Sequence, residues 1–272
     1  MDDIEEKVKE SITFIKKNAF DTIIAGLFSG GKDSLVALHL ALQACSDKTC
    51  DVIAIHADTT VEIPDNINYI NDVCKKLNVK LLIIKPDIDY FTLVKKWGFP
   101  RMKYRWCCKS LKIYPIKKAL DEIRKEGKNV VVVDGIRAEE SKVRSEFERI
   151  SQHKIWKVLV LHPIFYWTKE DIKKYIELYL KPVGIDINPL YKLGFRRACE
   201  CWCPVFKSEK DFELLAKFYP EIFVRLVELE KEAKSGFAYA YIKGRPFRLS
   251  ELITKLKVSN PRVSDVSPLV RD

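Results

Sequence analysis

The sequence predicts an α/β protein: a parallel, twisted sheet with helices on both faces, carrying a smaller helical, cysteine-bearing C-terminal part. Three observations point there. Between residues 22 and 134 short apolar runs alternate with segments of helical periodicity, and parallel strands need such crossover helices. The first strand candidate runs into Ser29-Gly30-Gly31-Lys32-Asp33-Ser34 and then the apolar-periodic segment Leu35 to Leu42. That is a strand, a glycine turn and a helix start, where bare N–H groups can face an anion such as phosphate. Finally, 272 residues with 47% hydrophobic content suffice for a core that needs no disulfides and exclude a disordered chain.

Taken in order, Val8, Ile12 and Ile15 recur at helical spacing and predict an amphipathic helix over 3–17. Thr22 to Phe28, Asp51 to His56, Val79 to Lys85 and Val130 to Asp134 read as strands, with helices over Asp65 to Leu77 and Lys112 to Glu126 between them. Ligands of such a sheet collect at the carboxyl ends of its strands, so the loops after Phe28, His56 and Asp134 should converge. Beyond residue 150 the pattern loosens. Trp156 to Leu161 is a further strand candidate. Thr168-Lys169-Glu170-Asp171 and Ser208-Glu209-Lys210-Asp211 are capping boxes, each opening an amphipathic helix. Between them Lys181 to Lys207 is irregular and rich in Pro, Gly and Arg, and Pro261 to Asp272 reads as a flexible tail.

One residue decides which kind of phosphate loop this is. Gly26, Gly31 and Lys32 fit the spacing of the kinase-type P-loop, but Asp33 stands where that loop needs Ser or Thr for magnesium. Ser-Gly-Gly-Lys-Asp-Ser resembles instead the ATP-pyrophosphatase loop, a nest for the pyrophosphate that leaves when ATP is split between its α and β phosphates. Lys32 should neutralise charge developing on that leaving group, and Asp33 or Asp58 should hold Mg2+.

The second chemical signal is thiol. Cys107 and Cys108 are adjacent, and Cys199, Cys201 and Cys203 follow in a second tight group. Soft thiolates in such numbers select an iron–sulfur cluster or zinc, and Arg105, Arg196 and Arg197 nearby would offset their charge. The acidic start, Met1 to Glu6, is unlike a secretory signal, and the longest apolar runs fall far short of the roughly 20 residues that span a bilayer. A cytoplasmic protein without membrane contact is therefore expected. In that compartment the eight cysteines are read as metal ligands and core residues rather than disulfides, with Cys45, Cys50 and Cys74 as buried small apolar residues. A net charge of +10 favours an anionic partner such as nucleic acid, although pairs such as Lys16-Lys17 and Lys75-Lys76 equally suit solvated helix faces.

These residues carry a resemblance. The phosphate loop, Arg105-Trp106-Cys107-Cys108-Lys109-Ser110-Leu111-Lys112, Gly135-Ile136-Arg137-Ala138-Glu139-Glu140-Ser141 with Arg144, Trp167 to Asp171, and Asn188-Pro189-Leu190-Tyr191 occur in order over residues 20–207. Together they resemble the phosphoadenosine-phosphosulfate reductase family of the ATP-pyrophosphatase, or PP-loop, superfamily. The resemblance implies a Rossmann-like nucleotide-binding domain over 1–165, a helical region with the second cysteine group over 166–260 and a tail over 261–272. It implies an adenine nucleotide with its phosphates on Ser29 to Ser34, with Asp58, Thr59, Glu62 and Gly135 lining the pocket and Arg137 and Arg144 contacting a further anionic group. It also implies a [4Fe-4S] cluster on the cysteines.

Two departures shape the functional expectation. The later cysteines are spaced C-x-C-x-C where the family usually has C-x-x-C; Cys199 and Cys203 are expected to join Cys107 and Cys108, with Cys201 as the other candidate. Reductases of the family also attack with a cysteine near the carboxyl terminus, whereas no cysteine follows Cys203 here. The expected activity is therefore ATP-dependent adenylation and thiolation of a substrate such as tRNA or DNA. The alternatives are a nucleotidyl-sulfate reductase releasing sulfite and a non-catalytic iron–sulfur or zinc module that binds nucleic acid. Expected partners are the nucleotide, the nucleic acid, a sulfur or thiol donor and, in a homodimer, a second copy.

Overall fold

A computed structural model describes residues 3–101, 103–125, 127–198, 201–202, 207–233, 240–242 and 245–256. In chain order the main elements are α1 (Asp3–Asn18), β1 (Thr22–Leu27), α2 (Lys32–Ala44), β2 (Asp51–Ala57), α3 (Pro64–Lys76), β3 (Lys80–Ile84), α4 (Tyr90–Trp97), α5 (Trp106–Cys108), α6 (Tyr114–Lys125) and β4 (Asn129–Val133). There follow α7 (Lys142–Ser145), β5 (Ile150–Gln152), β6 (Leu159–Leu161), α8 (Lys169–Tyr175), α9 (Glu209–Phe218), α10 (Pro220–Glu232), the paired β7 (Ala240–Ile242) and β8 (Arg245–Phe247), and α11 (Leu249–Leu256). A π-helical turn, Lys109–Ile113, joins α5 to α6.

Six strands form one sheet in the order β3-β2-β1-β4-β6-β5. All neighbours run parallel except β5, which lies antiparallel on the edge. The central strands carry unbroken apolar runs, Ile23-Ile24-Ala25 in β1 and Val130 to Val133 in β4, because helices cover both of their faces. On one face α1, α2, α3 and α8 bury Ile15, Leu35, Leu38, Ile70 and Tyr175 against Ile24, Val131 and Val133. On the other, Ile116, Leu120 and Ile123 of α6 meet Ile23, Ala25, Val130 and Val132. A third core joins α4 and α5 to α9, α10 and α11, with Tyr90, Trp106, Leu190, Trp202, Phe212 and Phe223 inside. The strand order reverses between β1 and β4, and that reversal opens a crevice at their carboxyl ends.

Both expected capping boxes form: Thr168 with Asp171, and Ser208 with Asp211. The expected strand over Trp156 to Leu161 shortens to β6, because Lys157 takes φ +57° and its N–H bonds back to the His153 carbonyl at 2.8 Å, turning the chain out of β5. Cys45 and Cys50 correct the expectation of separate thiols: they form a disulfide. The cause is the tight turn between α2 and β2, in which the Lys48 N–H bonds the Cys45 carbonyl at 3.0 Å and the two Cα atoms come within 5.1 Å. The tail over 261–272 lies outside the described residues. Among the described residues no helix is long and apolar enough to cross a membrane.

Candidate nucleotide and thiol sites

The phosphate loop leaves β1 at Phe28 and enters α2 at Lys32. Gly30 has φ +78°, and a Cβ there would stand 2.1 Å from Asn66 Oδ1, so both backbone and space demand glycine. Gly31 caps α2 without any side-chain hydrogen bond, which leaves first-turn N–H groups for a ligand. The Ser34 hydroxyl donates to the Gly31 carbonyl at 3.0 Å and accepts from the Ser29 N–H at 3.3 Å, closing the loop on itself. The Lys32 ammonium lies 4.3 Å from the centre of the Tyr191 ring, a cation–π contact that holds the side chain beside the loop.

Ser29, Gly31, Asp33 and Ser34 line a cavity of about 340 Å3 together with His56 and Ala57 after β2, Asp134 to Ile136 after β4, Lys112, Glu140 and Arg144. The three strand-end loops therefore converge as the sequence predicts. A Cβ on Gly135 would lie 2.5 Å from the Asp33 carbonyl carbon, so glycine is what lets the β4 loop touch the phosphate loop. Arg137 is buried and donates from Nε to Asp33 Oδ1 at 2.6 Å and from a terminal nitrogen to Glu139 at 2.7 Å. Arg144 pairs with Glu140, and His162 Nδ1 stands 2.6 Å from Asp134 Oδ1.

Behind the loop lies a buried polar network. His56 Nδ1 is 2.9 Å from the Phe28 carbonyl, and its Nε2 is 2.8 Å from Glu62 Oε2. Asn66 donates to the Ser29 carbonyl at 3.1 Å and to Glu62 Oε1. Asn188 donates to the Gly30 carbonyl at 3.3 Å and to Asn66 Oδ1 at 2.6 Å. Burial opposes charge on both members of the His56–Glu62 pair. It raises the Glu62 pKa, whereas at His56 the hydrogen-bonded Glu62 carboxylate outweighs it and raises the imidazole pKa as well.

The thiols form a second, smaller site. Cys107, Cys108 and Cys201 line one cavity of about 100 Å3 with Thr59, Tyr90, Lys112, Arg197 and Lys207 among its walls. Aromatic packing fixes both thiol segments. Trp106 stacks on Tyr90 with ring centres 5.9 Å apart, and Trp202 lies fully buried between Phe195 and Phe212. The donor chemistry fits a cluster: three thiols from two distant segments, with Lys112, Arg197 and Lys207 to balance thiolate charge. Among the described residues no three His, Cys, Asp or Glu side chains are grouped tightly enough to hold a metal ion by themselves. Cys199 and Cys203 lie outside the described residues.

The residues proposed from sequence thus fall into four places. Ser29, Gly31, Asp33, Ser34, Gly135 and Arg144 line the larger cavity, with Gly30 in the loop and Lys32 at its flank. Arg137 backs Asp33. Thr59 lines the thiol cavity, Glu62 belongs to the network behind the loop, and Asp58 accepts from the Thr60 N–H at 2.8 Å and pairs with Lys85 at 3.4 Å. Sequence reasoning missed Asp134 with His162, and it missed Asn66 as a partner of the loop. Of the flanking arginines, Arg197 lines the thiol cavity, while Arg196 is tied to Asp211 at 3.1 Å.

Fold and phosphate loop together are those of a PP-loop protein. A model of the phosphoadenosine phosphosulfate reductase domain matches residues 7–205, and the chain belongs to that enzyme family. It is 33% identical over 263 residues to the uncharacterized protein MJ0973 of Methanocaldococcus jannaschii, covering 94% of this chain and 60% of that one. The chain thus spans 60% of that relative's length. It is 25% identical over 212 residues to an adenosine 5'-phosphosulfate reductase of Staphylococcus haemolyticus, covering 76% of this chain and 82% of the other. Among solved structures, the FMN adenylyltransferase of Candida glabrata with FMN and an ATP analog shares the fold at TM-score 0.51, with 14% identity over 71% of this chain and 60% of that one.

Proposed function

We propose that the protein binds ATP with its β and γ phosphates on Ser29 to Ser34, adenylates an oxygen of a substrate such as tRNA or DNA with release of pyrophosphate, and completes a thiolation at the cysteine site. The observation that carries this reading is the start of α2, free of a side-chain cap, opening with Asp33, Gly135 and Arg144 into one cavity. Backbone N–H groups bind the departing pyrophosphate, and Lys32 neutralises the charge that grows on it. Asp33, held by Arg137, presents a carboxylate to Mg2+; Arg144 meets the remaining phosphate. The phosphate and thiol cavities share Lys112 as a common wall, which supports a sequence in which the activated substrate meets sulfur without leaving the protein. A [4Fe-4S] cluster on Cys107, Cys108 and two of Cys199, Cys201 and Cys203 supplies, when bound, the point of sulfur delivery. The charge of +10 supports a polyanionic substrate.

A second reading, reduction of a nucleotidyl sulfate with sulfite as product, draws on the similarity to the Staphylococcus haemolyticus reductase. One experiment separates the two. Pyrophosphate release from ATP that rises with added tRNA or DNA supports the first. Rapid sulfite release from adenylyl sulfate with a thiol donor, without pyrophosphate release from ATP, overturns it in favour of the second.

A further inference from the structure

Three successive carbonyls of the phosphate loop, those of Phe28, Ser29 and Gly30, each meet a different buried side chain: His56, Asn66 and Asn188. The three are themselves linked. Glu62 bridges His56 and Asn66, and Asn66 accepts from Asn188. Neither amide has a choice of orientation. Both Nδ2 hydrogens of Asn66 and both of Asn188 are used, and Asn188 Oδ1 accepts from the Leu190 N–H at 3.0 Å; rotating Asn188 by half a turn would set its oxygen against two others.

In a trans peptide the N–H of one residue points opposite to the carbonyl before it, and no peptide here is cis among the described residues. Drawing the Ser29 and Gly30 carbonyls into the network therefore turns the N–H groups of Gly30 and Gly31 the other way, toward the side where an anion is received. The network spans three elements, β2 for His56, α3 for Asn66 and the turn after Asn188. That turn is fastened to α3 by the Tyr69 hydroxyl, which donates to the Asp186 carbonyl at 2.8 Å. A loop needed only for chain reversal gains nothing from four buried polar side chains, each costly to desolvate.

We infer that Asn66 and Asn188, locked together and to the His56–Glu62 pair, are positioning residues that hold the backbone N–H groups of the phosphate loop in their anion-receiving orientation before the nucleotide arrives. The inference rests on the proposed reading that this loop receives the phosphates. Its signature is selective: affinity for the polyphosphate falls while affinity for the nucleoside does not.

The test is calorimetric titration of the full chain with ATP, inorganic pyrophosphate and adenosine, for wild type, Asn188→Ala and Asn66→Ala, alongside thermal melting. The expected result is roughly tenfold weaker binding of ATP and pyrophosphate in each variant, in keeping with one lost buried hydrogen-bonding group, with adenosine affinity unchanged. Equal loss for all three ligands, or no loss for any, overturns the inference. Failure of both variants to fold also overturns it, since the network would then be general core structure. Wild-type protein that binds adenosine but neither ATP nor pyrophosphate overturns the phosphate-loop reading itself, a different result from the others.

Discussion

The phosphate-loop cavity and the thiol cavity adjoin at Lys112, yet they are made of different material. The first is largely backbone: loop N–H groups, a helix start and glycines through which two loops touch. The second is side chain: thiols and cations brought together by aromatic anchors on segments far apart in sequence. A backbone site depends on a few side chains that hold or complement the loop, and an added Cβ strains it. A side-chain site fails when one donor is replaced, and neither failure need spread to the other.

The largest expected effect is on the first site alone. Lys32→Ala should lower ATP-dependent pyrophosphate release by about 10²–10³-fold, the scale of one lost electrostatic stabiliser, with melting temperature and visible absorbance unchanged. Next comes the reciprocal experiment: protein purified without oxygen should show broad visible absorbance, and Cys107→Ser should abolish it while calorimetry still detects ATP. Loss of ATP binding in that variant would break the separation of the two sites.

Acid should act through the sheet half. His39 on α2 is bonded to the Tyr175 hydroxyl at 2.8 Å, and burial depresses its pKa from 6.5 to about 4. The unfolded chain therefore takes up a proton at higher pH than the folded one, so stability is full above pH 6.5 and falls as pH drops toward 4. The loss is at most roughly 3 kcal/mol, read by urea unfolding across that window, and His39→Gln should flatten the slope. The smallest effect is Gly135→Ala. Its Cβ would press on the Asp33 and Ser34 backbone and cost about 1–3 kcal/mol. A variant of unchanged stability and nucleotide affinity would show that the β4 loop does not brace the phosphate loop.

The sequence showed the parts of the molecule whose signals are contiguous. Alternating apolar runs located the four parallel strands β1 to β4, and Ser29 to Ser34 located the crevice, because strand, turn and helix follow one another without interruption. Long-range closure was less visible. Nothing beside Asn188 marks it as a partner of Gly30 and Asn66, since that pairing exists only once α3 and the turn have docked. The disulfide was obscured by the other cysteines: a Cys45–Cys50 spacing reads as a clip only when the turn between helix and strand is known. Two of the helices missed, α4 and α10, had their signals present. Asp89 caps α4 by accepting from the Phe91 and Thr92 N–H groups, and Pro220 opens α10.

The π-helical turn at Lys109–Ile113 lets one continuous helical run hold a residue more than regular pitch would allow. Each α-helical residue advances the side-chain direction by about 100°, and a single wide turn takes up one extra residue with little change of phase between the thiol pair upstream and the sheet-anchoring Ile116 and Leu120 downstream. A residue added to or deleted from the regular helix beside that turn, with no wide turn to absorb it, would swing Cys107 and Cys108 by about that angle about the helix axis relative to Ile116 and Leu120. The orientation of the cysteine pair against the sheet is thus kept by residue count along a single helical run.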